Sequence, residues 1–125
     1  MRRAAGRSST AVGSAAERAA ATFLHERGYH ILESNFRCRG GEIDLIALDG
    51  GTLVFAEVKL RRTLARGAPI EAVTPQKQAR LARAAQSYLA FSGRVFPRIR
   101  FDVISVMRTS ARIEITHFKA AFSPV

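Results

Sequence analysis

The chain is 125 residues long, and its 20 Lys and Arg residues against 10 Asp and Glu residues give a formal net charge of +10. The length fits one domain, and a hydrophobic content of 47% excludes a wholly disordered chain. The single cysteine, Cys38, excludes an internal disulfide and a cysteine-based zinc cluster, and no apolar run is long enough to span a membrane.

The start of the chain predicts a basic arm followed by a helix. Residues 1–13 are rich in Arg, Ala and Ser and contain no acidic residue, so we expect a mobile arm before a single domain over residues 14–122, with a short tail over residues 123–125. Ser14 and Glu17 have the spacing of a capping box, which predicts a helix that begins at Ser14 and ends at Gly28.

Three strands are predicted next, because β-branched and aromatic residues cluster between turn signals. We expect these strands over residues 29–36, 42–48 and 52–61. The first two are separated by a turn over residues 37–41. Asp49 and the two glycines that follow it predict a tight hairpin between the second and third strands.

A second helix and two more strands complete the prediction. After a loop over residues 63–73, Thr74 and Pro75 supply an N-cap and a first-turn proline for a helix that runs to about Phe91. Its predicted inner stripe consists of Gln78, Leu81, Ala82, Ala85 and Leu89, with Lys77, Arg80 and Arg83 on its other faces. Strands are expected near residues 98–106 and 112–118, followed by an apolar tail through Phe122. This order predicts an α/β fold, a mixed sheet with helices packed on its faces.

The predicted hairpin of the second and third strands carries acidic residues on one face. Because side chains alternate along a strand, Glu42 and Asp44 point the same way, as do Glu57 and Lys59. If the two glycines of the turn form the loop, Asp44 lies directly opposite Glu57, with Cβ atoms roughly 5 Å apart. If Asp49 and the first glycine form it, Glu42 takes that place and Asp44 is diagonal. A three-residue loop would break this parity unless a bulge restored it.

Opposed carboxylates need a compensating cation, because like charges directly opposite on a sheet are destabilising. Mg²⁺ or Mn²⁺ is the economical cation, since such ions accept one or two carboxylates together with other oxygen ligands. The pattern therefore predicts a metal site at Asp44 and Glu57, with Lys59 placed to orient an attacking water or to stabilise charge on a phosphate. The alternative is a cross-strand salt bridge between Lys59 and either carboxylate, without a metal.

These residues resemble the PD-(D/E)XK motif of the restriction-endonuclease-like nucleases. Asp44 is followed, after the glycine hairpin, by Glu57-Val58-Lys59, and Ile43 stands where the motif has proline. Residues 41–47 (GEIDLIA) and 55–61 (FAEVKLR) are in addition similar to the YraN family. This bacterial family is assigned to the same superfamily and is similar in pattern to archaeal Holliday junction resolvases. The resemblance extends from about Ser14 to Phe122.

The resemblance implies a three-layer α/β/α core and assigns roles to residues. Asp44 and Glu57 would be metal ligands, the Val58 backbone carbonyl would complete the site, and Lys59 would be the catalytic lysine. The resolvase comparison adds Glu17 as an outer metal contact, whereas the capping box would use the same carboxylate at the helix start. Two further residues have open assignments: Glu42 is a third ligand or a solvated strand end, and Gln78 is a substrate contact or an edge of the core.

The basic excess predicts a polyanionic partner, with nucleic acid ahead of an anionic membrane surface. The residues expected to contact phosphate are Arg37, Arg39, Arg61, Arg62 and Arg66. The leading hypothesis is a cytoplasmic, Mg²⁺-dependent endonuclease that hydrolyses DNA, branched DNA included, and cleavage of two strands favours a homodimer. The alternatives are a non-catalytic nucleic-acid-binding module that keeps the nuclease fold and an adaptor that docks a protein partner.

Overall fold

Two helices pack on opposite faces of a five-stranded sheet in the computed structural model of this chain. The structure describes residues 15–61 and 73–123, so the predicted arm and most of the loop over residues 63–73 lie outside the described residues. In chain order the elements are α1 (Ala15–Glu26), β1 (His30–Cys38), β2 (Gly41–Asp49), β3 (Thr52–Arg61), α2 (Pro75–Ser92), β4 (Arg98–Arg108) and β5 (Ile113–Phe122). Neither of these helices combines the length and the apolar character needed to cross a membrane.

The sheet is mixed, with the strand order β1-β2-β3-β4-β5. Neighbouring strands run antiparallel except β3 and β4, which are parallel. A parallel pair requires a crossover connection, and here α2 lies within that connection. The predicted α/β class is confirmed, and the layers are compatible with a three-layer α/β/α nuclease-like fold.

Local signals in the sequence set the helix ends. Gly28 has a φ of 90°, and across it the Tyr29 amide donates to the Leu24 carbonyl at 3.0 Å, which ends α1. At the start of α2, the Thr74 hydroxyl accepts a hydrogen bond of 3.2 Å from the Lys77 amide. The predicted capping serine, Ser14, lies outside the described residues.

The buried stripe of α2 differs from the predicted one. Its buried residues are Leu81, Ala84, Ala85 and Tyr88. The predicted members Gln78, Ala82 and Leu89 are only half-buried. The helix turns Tyr88 inward because its ring packs edge-on against two strand residues, Phe36 and Phe55, with centroids 5.3 and 6.2 Å away.

The last strand is longer than predicted, because the expected apolar tail pairs as part of β5. Phe122 is opposite Phe101 of β4, and their ring centroids are 5.6 Å apart. The ladder is interrupted between this pair and the next, where Ala120 has a φ of 50°. The Ala120 amide donates instead to the buried carboxylate of Asp102 at 2.9 Å. A polar side chain thus supplies the acceptor that the interrupted ladder lacks.

The turn between β1 and β2 packs directly on α2, which predicts a sensitive position at Gly41. A Cβ added there would overlap the backbone carbonyl of Arg80, and a helix backbone cannot move aside as a side chain can. We expect Gly41→Ala to lower the free energy of unfolding by about 2 kcal/mol or more, measured by urea titration. Gly51→Ala is the matched control, because its added Cβ would meet only the Pro97 ring at 3.4 Å. Equal losses in the two variants would contradict this account.

Candidate active site

The register of the β2–β3 hairpin places Asp44 opposite Glu57. Asp49 pairs with Thr52, so the two glycines form the loop, and the ladder continues to Leu45 and Ala56. The regular pairing ends there, and Asp44 and Glu57 are the next residues of the two strands. They are close enough that the negative charge of Glu57 acts on Asp44. Of the loops considered from sequence, the structure therefore has the one formed by the two glycines, whose register predicts Asp44 opposite Glu57.

Asp44 sits where the regular sheet pattern breaks. Asn35, across from it on β1, has a φ of 54°, and no regular pair joins the two residues. On the other side, the Val58 amide donates to the Asp44 Oδ2 atom at 2.8 Å. Asp44 and Glu57 are each only 8% exposed. The strands thus hold two carboxylates together with little access to water.

The electrostatics of this pair favour a cation. Burial, and then the negative charge of Glu57, raise the pKa of Asp44 from 3.8 to about 8. Glu17 and Glu42 add to the rise, and the hydrogen bond from the Val58 amide opposes it. A cation between the carboxylates would oppose both causes, because its positive charge stabilises the ionised form of each carboxylate.

Two lysines lie beside the carboxylates. The Lys77 ammonium on α2 is 3.3 Å from the Glu57 Oε2 atom. Burial lowers the pKa of Lys59, and the nearby positive charge of Lys77 lowers it further. Burial alone would lower the pKa of Lys77, but the charge of Glu57 and hydrogen bonds to Lys59 and Glu57 outweigh burial and raise it. The alternative considered from sequence, a cross-strand salt bridge of Lys59, is not found among the described residues, where Glu57 pairs with Lys77 of the helix instead.

Sequence reasoning missed Lys77, which it placed on an outward-facing side of α2. A signal was nevertheless present. Lys77 lies in the first helical turn, where the helix dipole disfavours a cation, and that turn contains no acidic residue. A negative partner from another element is therefore favoured for this lysine.

A pocket of about 310 Å³ opens over the carboxylate pair. Its lining residues are Glu42, Asp44, Glu57, Lys77, Arg80 and Leu81. The acidic residues come from the strands and the basic ones from α2. A divalent cation on the strand side and a phosphate on the helix side would both find groups of opposite charge.

The residues with open assignments have partners. Glu17 accepts a hydrogen bond of 3.2 Å from the Asn35 side chain. Glu42 forms an exposed ion pair with Arg37 at 3.3 Å. The Gln78 side chain donates to the Val73 carbonyl at 3.0 Å, which supports its assignment as an edge of the core.

The structure describes only some of the arginines predicted to contact phosphate. Arg39 is exposed and Arg61 is half-buried at the end of β3. Arg62 and Arg66 lie outside the described residues. Arg80, which was not among the predicted contacts, lines the pocket directly.

The donor atoms of the pair fit a hard divalent ion. Within residues 15–61 and 73–123, no group of three or more His, Cys, Asp or Glu side chains is arranged to hold a metal. Two carboxylates suffice for Mg²⁺, which completes its shell with backbone oxygen, water and substrate phosphate. They do not suffice for a structural zinc site, which needs four protein ligands.

A change of Asp44 to Asn should stabilise the metal-free protein, and more so at higher pH. Asp44 ionises near pH 3.8 in the unfolded chain and near 8 in the folded one, so wild-type stability falls as the pH rises between these values. Asn removes this loss and can still accept from the Val58 amide. We expect the variant to gain on the order of a few kcal/mol at pH 8 and little at pH 4, by urea unfolding in EDTA. Parallel pH profiles of the two proteins would contradict this.

Comparison with known proteins gives one family. A family model described as "Uncharacterised protein family UPF0102" matches residues 16–106, which include Asp44, Glu57 and both lysines. The chain is 59% identical over 95 residues to a UPF0102 protein of Symbiobacterium thermophilum, covering 76% of this chain and 80% of that protein. It is 51% identical over 117 residues to a UPF0102 protein of Chlorobium chlorochromatii, covering 89% of this chain and 90% of that protein. It is 46% identical over 112 residues to a UPF0102 protein of Geobacter sulfurreducens, covering 89% of this chain and 88% of that protein.

Proposed function

We propose that this chain, which belongs to the UPF0102 or YraN family, is a Mg²⁺-dependent endonuclease that hydrolyses phosphodiester bonds in DNA. The observation that carries the proposal is the buried, opposed pair of Asp44 and Glu57 under a pocket rimmed by basic residues. The resemblance to the PD-(D/E)XK nucleases supports the same reaction. The +10 charge supports nucleic acid as the substrate.

Each residue of the site has a role in this reaction. Asp44 and Glu57 would hold Mg²⁺ or Mn²⁺, with the Val58 carbonyl as a further oxygen. When bound, the ion lowers the pKa of a water molecule and neutralises negative charge on the phosphate. Lys59 holds the attacking water or stabilises the negative charge that develops. Arg80 lies on the helix side of the pocket, where it can pair with the phosphate of the substrate.

The surrounding basic residues would hold the DNA. Arg37 lies near the end of β1, Arg39 lies in the turn before β2, and Arg61 is the last residue of β3. Arg62 and Arg66 come next in the chain. Contacts to phosphate fix position without reading sequence, which suits an enzyme that recognises a DNA shape such as a branch. A cytoplasmic location and a homodimer accompany this proposal as predictions.

The experiment that tests the proposal is cleavage of end-labelled linear, flapped and four-way DNA with Mg²⁺, Mn²⁺ or EDTA. An Asp44→Asn protein prepared in parallel reports contaminating nuclease. We expect metal-dependent cleavage by the wild type alone, and the preferred DNA identifies the substrate. Equal cleavage by both proteins, or none by the wild type on DNA that it binds, would contradict the proposal.

One observation favours the second candidate, a non-catalytic nucleic-acid-binding module. Both carboxylates have a protein partner without any metal, because Val58 donates to Asp44 and Lys77 pairs with Glu57. The affinity of such a module for DNA would fall steeply as the salt concentration rises. Adding Mg²⁺ or removing the carboxylate of Glu57 would leave that affinity unchanged. Binding titrations over a range of salt concentrations, in Ca²⁺ and in EDTA, with wild type and Glu57→Gln, separate it from the enzyme. Only in the enzyme would a divalent ion held by Glu57 strengthen DNA binding.

A further inference from the structure

The ion pair between Lys77 and Glu57 joins a fixed group to a movable one. The Glu57 side chain is 10% exposed and stands on β3 between two paired strands. The Lys77 side chain is 39% exposed, and its ammonium is 3.3 Å from the carboxylate. If the contact breaks, the lysine is therefore the partner that can turn toward solvent.

The backbone of Lys77 is held while its side chain is free to move. The Lys77 amide donates to the Thr74 hydroxyl, which fixes the first turn of α2. The helix dipole disfavours a cation in this turn. The negative charge of Glu57 attracts the Lys77 ammonium and outweighs the effect of the dipole. An ion that neutralised Glu57 would remove this attraction.

Lys59 makes the arrangement more sensitive to an added cation. It stands two residues beyond Glu57 on β3, so its side chain lies on the same face of the sheet as the carboxylate that Lys77 pairs with. A divalent ion bound at the carboxylates would add two positive charges within a few ångströms of both lysines. Lys59 extends from the strand that carries Glu57, whereas Lys77 extends from the helix over the pocket that also contains Arg80.

We infer that Lys77 serves as the cation of the acidic pocket in the metal-free protein, and that a divalent ion displaces it toward the phosphate of the DNA. The inference rests on the proposed function, because it assigns a residue of the same site. Lys77 would then compete with the metal for Glu57 and would contribute to binding of the DNA substrate. The two effects have opposite signs, which no merely structural role of Lys77 would produce.

The test is Mn²⁺ affinity and DNA affinity of Lys77→Gln at one fixed pH. We expect the variant to bind Mn²⁺ about three- to tenfold more tightly than wild type, by calorimetry without DNA. We expect its affinity for uncleaved DNA in Ca²⁺ to fall by a similar factor. Lys77→Arg keeps the charge and should stay near wild type. Lys119→Gln, the same change at an exposed position on β5, should leave Mn²⁺ affinity unchanged.

These readouts are separate from cleavage. Unchanged or weaker Mn²⁺ binding by Lys77→Gln, with the circular dichroism of the wild type, overturns the inference. Metal-dependent cleavage by the wild type would still leave the nuclease proposal standing. Tighter Mn²⁺ binding with weaker DNA binding supports the inference, even if the wild type cleaves no DNA and the nuclease proposal fails. Equal changes in Lys77→Gln and Lys119→Gln would also overturn it, because the effect would then be one of net charge.

Discussion

Replacing Glu57 by Gln is expected to reduce Mg²⁺-dependent DNA cleavage by about a thousandfold or more. The amide keeps the size of the side chain but removes the charge that would hold the ion, so the stabilisation that the proposed ion would give the transition state should be lost. It also leaves Lys77 without its ion pair at 3.3 Å, although the amide oxygen can still accept a hydrogen bond. The rate is measured under single-turnover conditions on the DNA that the wild type prefers.

The control for Glu57→Gln is the same chemical change at Glu114. That carboxylate forms an exposed ion pair with Arg112 at 2.8 Å on β5. Glu114→Gln raises the net charge by the same amount and should keep wild-type cleavage. In EDTA, DNA binding by Glu57→Gln should be at least as tight as that of wild type, since the variant loses a negative charge in the pocket that would receive the phosphate. Cleavage by Glu57→Gln within tenfold of wild type would contradict the assignment of Glu57 as a metal ligand.

Replacing Asp102 by Ala is expected to lower the free energy of unfolding by about 3–5 kcal/mol. Asp102 is 0% exposed and binds three groups: Arg100 donates twice, at 2.9 and 3.0 Å, His117 lies at 2.7 Å, and Ala120 donates its amide. Burial alone would raise the pKa of Asp102, but its hydrogen bonds with His117, Arg100 and Ala120 lower it below the usual value. Alanine would leave the half-buried guanidinium of Arg100 without its main partner and the interrupted β4–β5 ladder without its acceptor.

The melting temperature should fall by roughly 10–20 °C in Asp102→Ala. The matched control lies in the same network, because Asp49 accepts a hydrogen bond of 3.1 Å from Arg100 at a more exposed position. Asp49→Ala should cost less than about 1 kcal/mol, as is usual for ion pairs open to solvent. Stability is measured by urea and thermal unfolding. Similar losses of stability in the two variants would show that burial of Asp102 does not determine its contribution to the free energy of unfolding.

Much of the candidate site could be predicted because its residues are neighbours along the chain. Asp44, Glu57 and Lys59 lie on two strands joined by a short turn, so alternation and the turn limited the register to a few choices. The choice among these registers depends on the pairing of Asp49 with Thr52, which sequence left open. Phosphate-binding roles of the arginines remain predictions, since contacts to phosphate impose no periodic pattern on a sequence.

The sequence by itself determined the α/β class, the order of helices and strands, and the hairpin that carries the acidic residues. Those features follow from local periodicity, capping residues and turn chemistry, which act over a few positions. Only the tertiary structure decided that Lys77 reaches Glu57, that Tyr88 faces the core, and that Asp102 anchors β5. Each of these contacts joins residues far apart in the chain, and its free energy depends on how α2 and β5 pack on the sheet. Local sequence patterns do not encode such packing, because many helix rotations and strand ends bury similar apolar area.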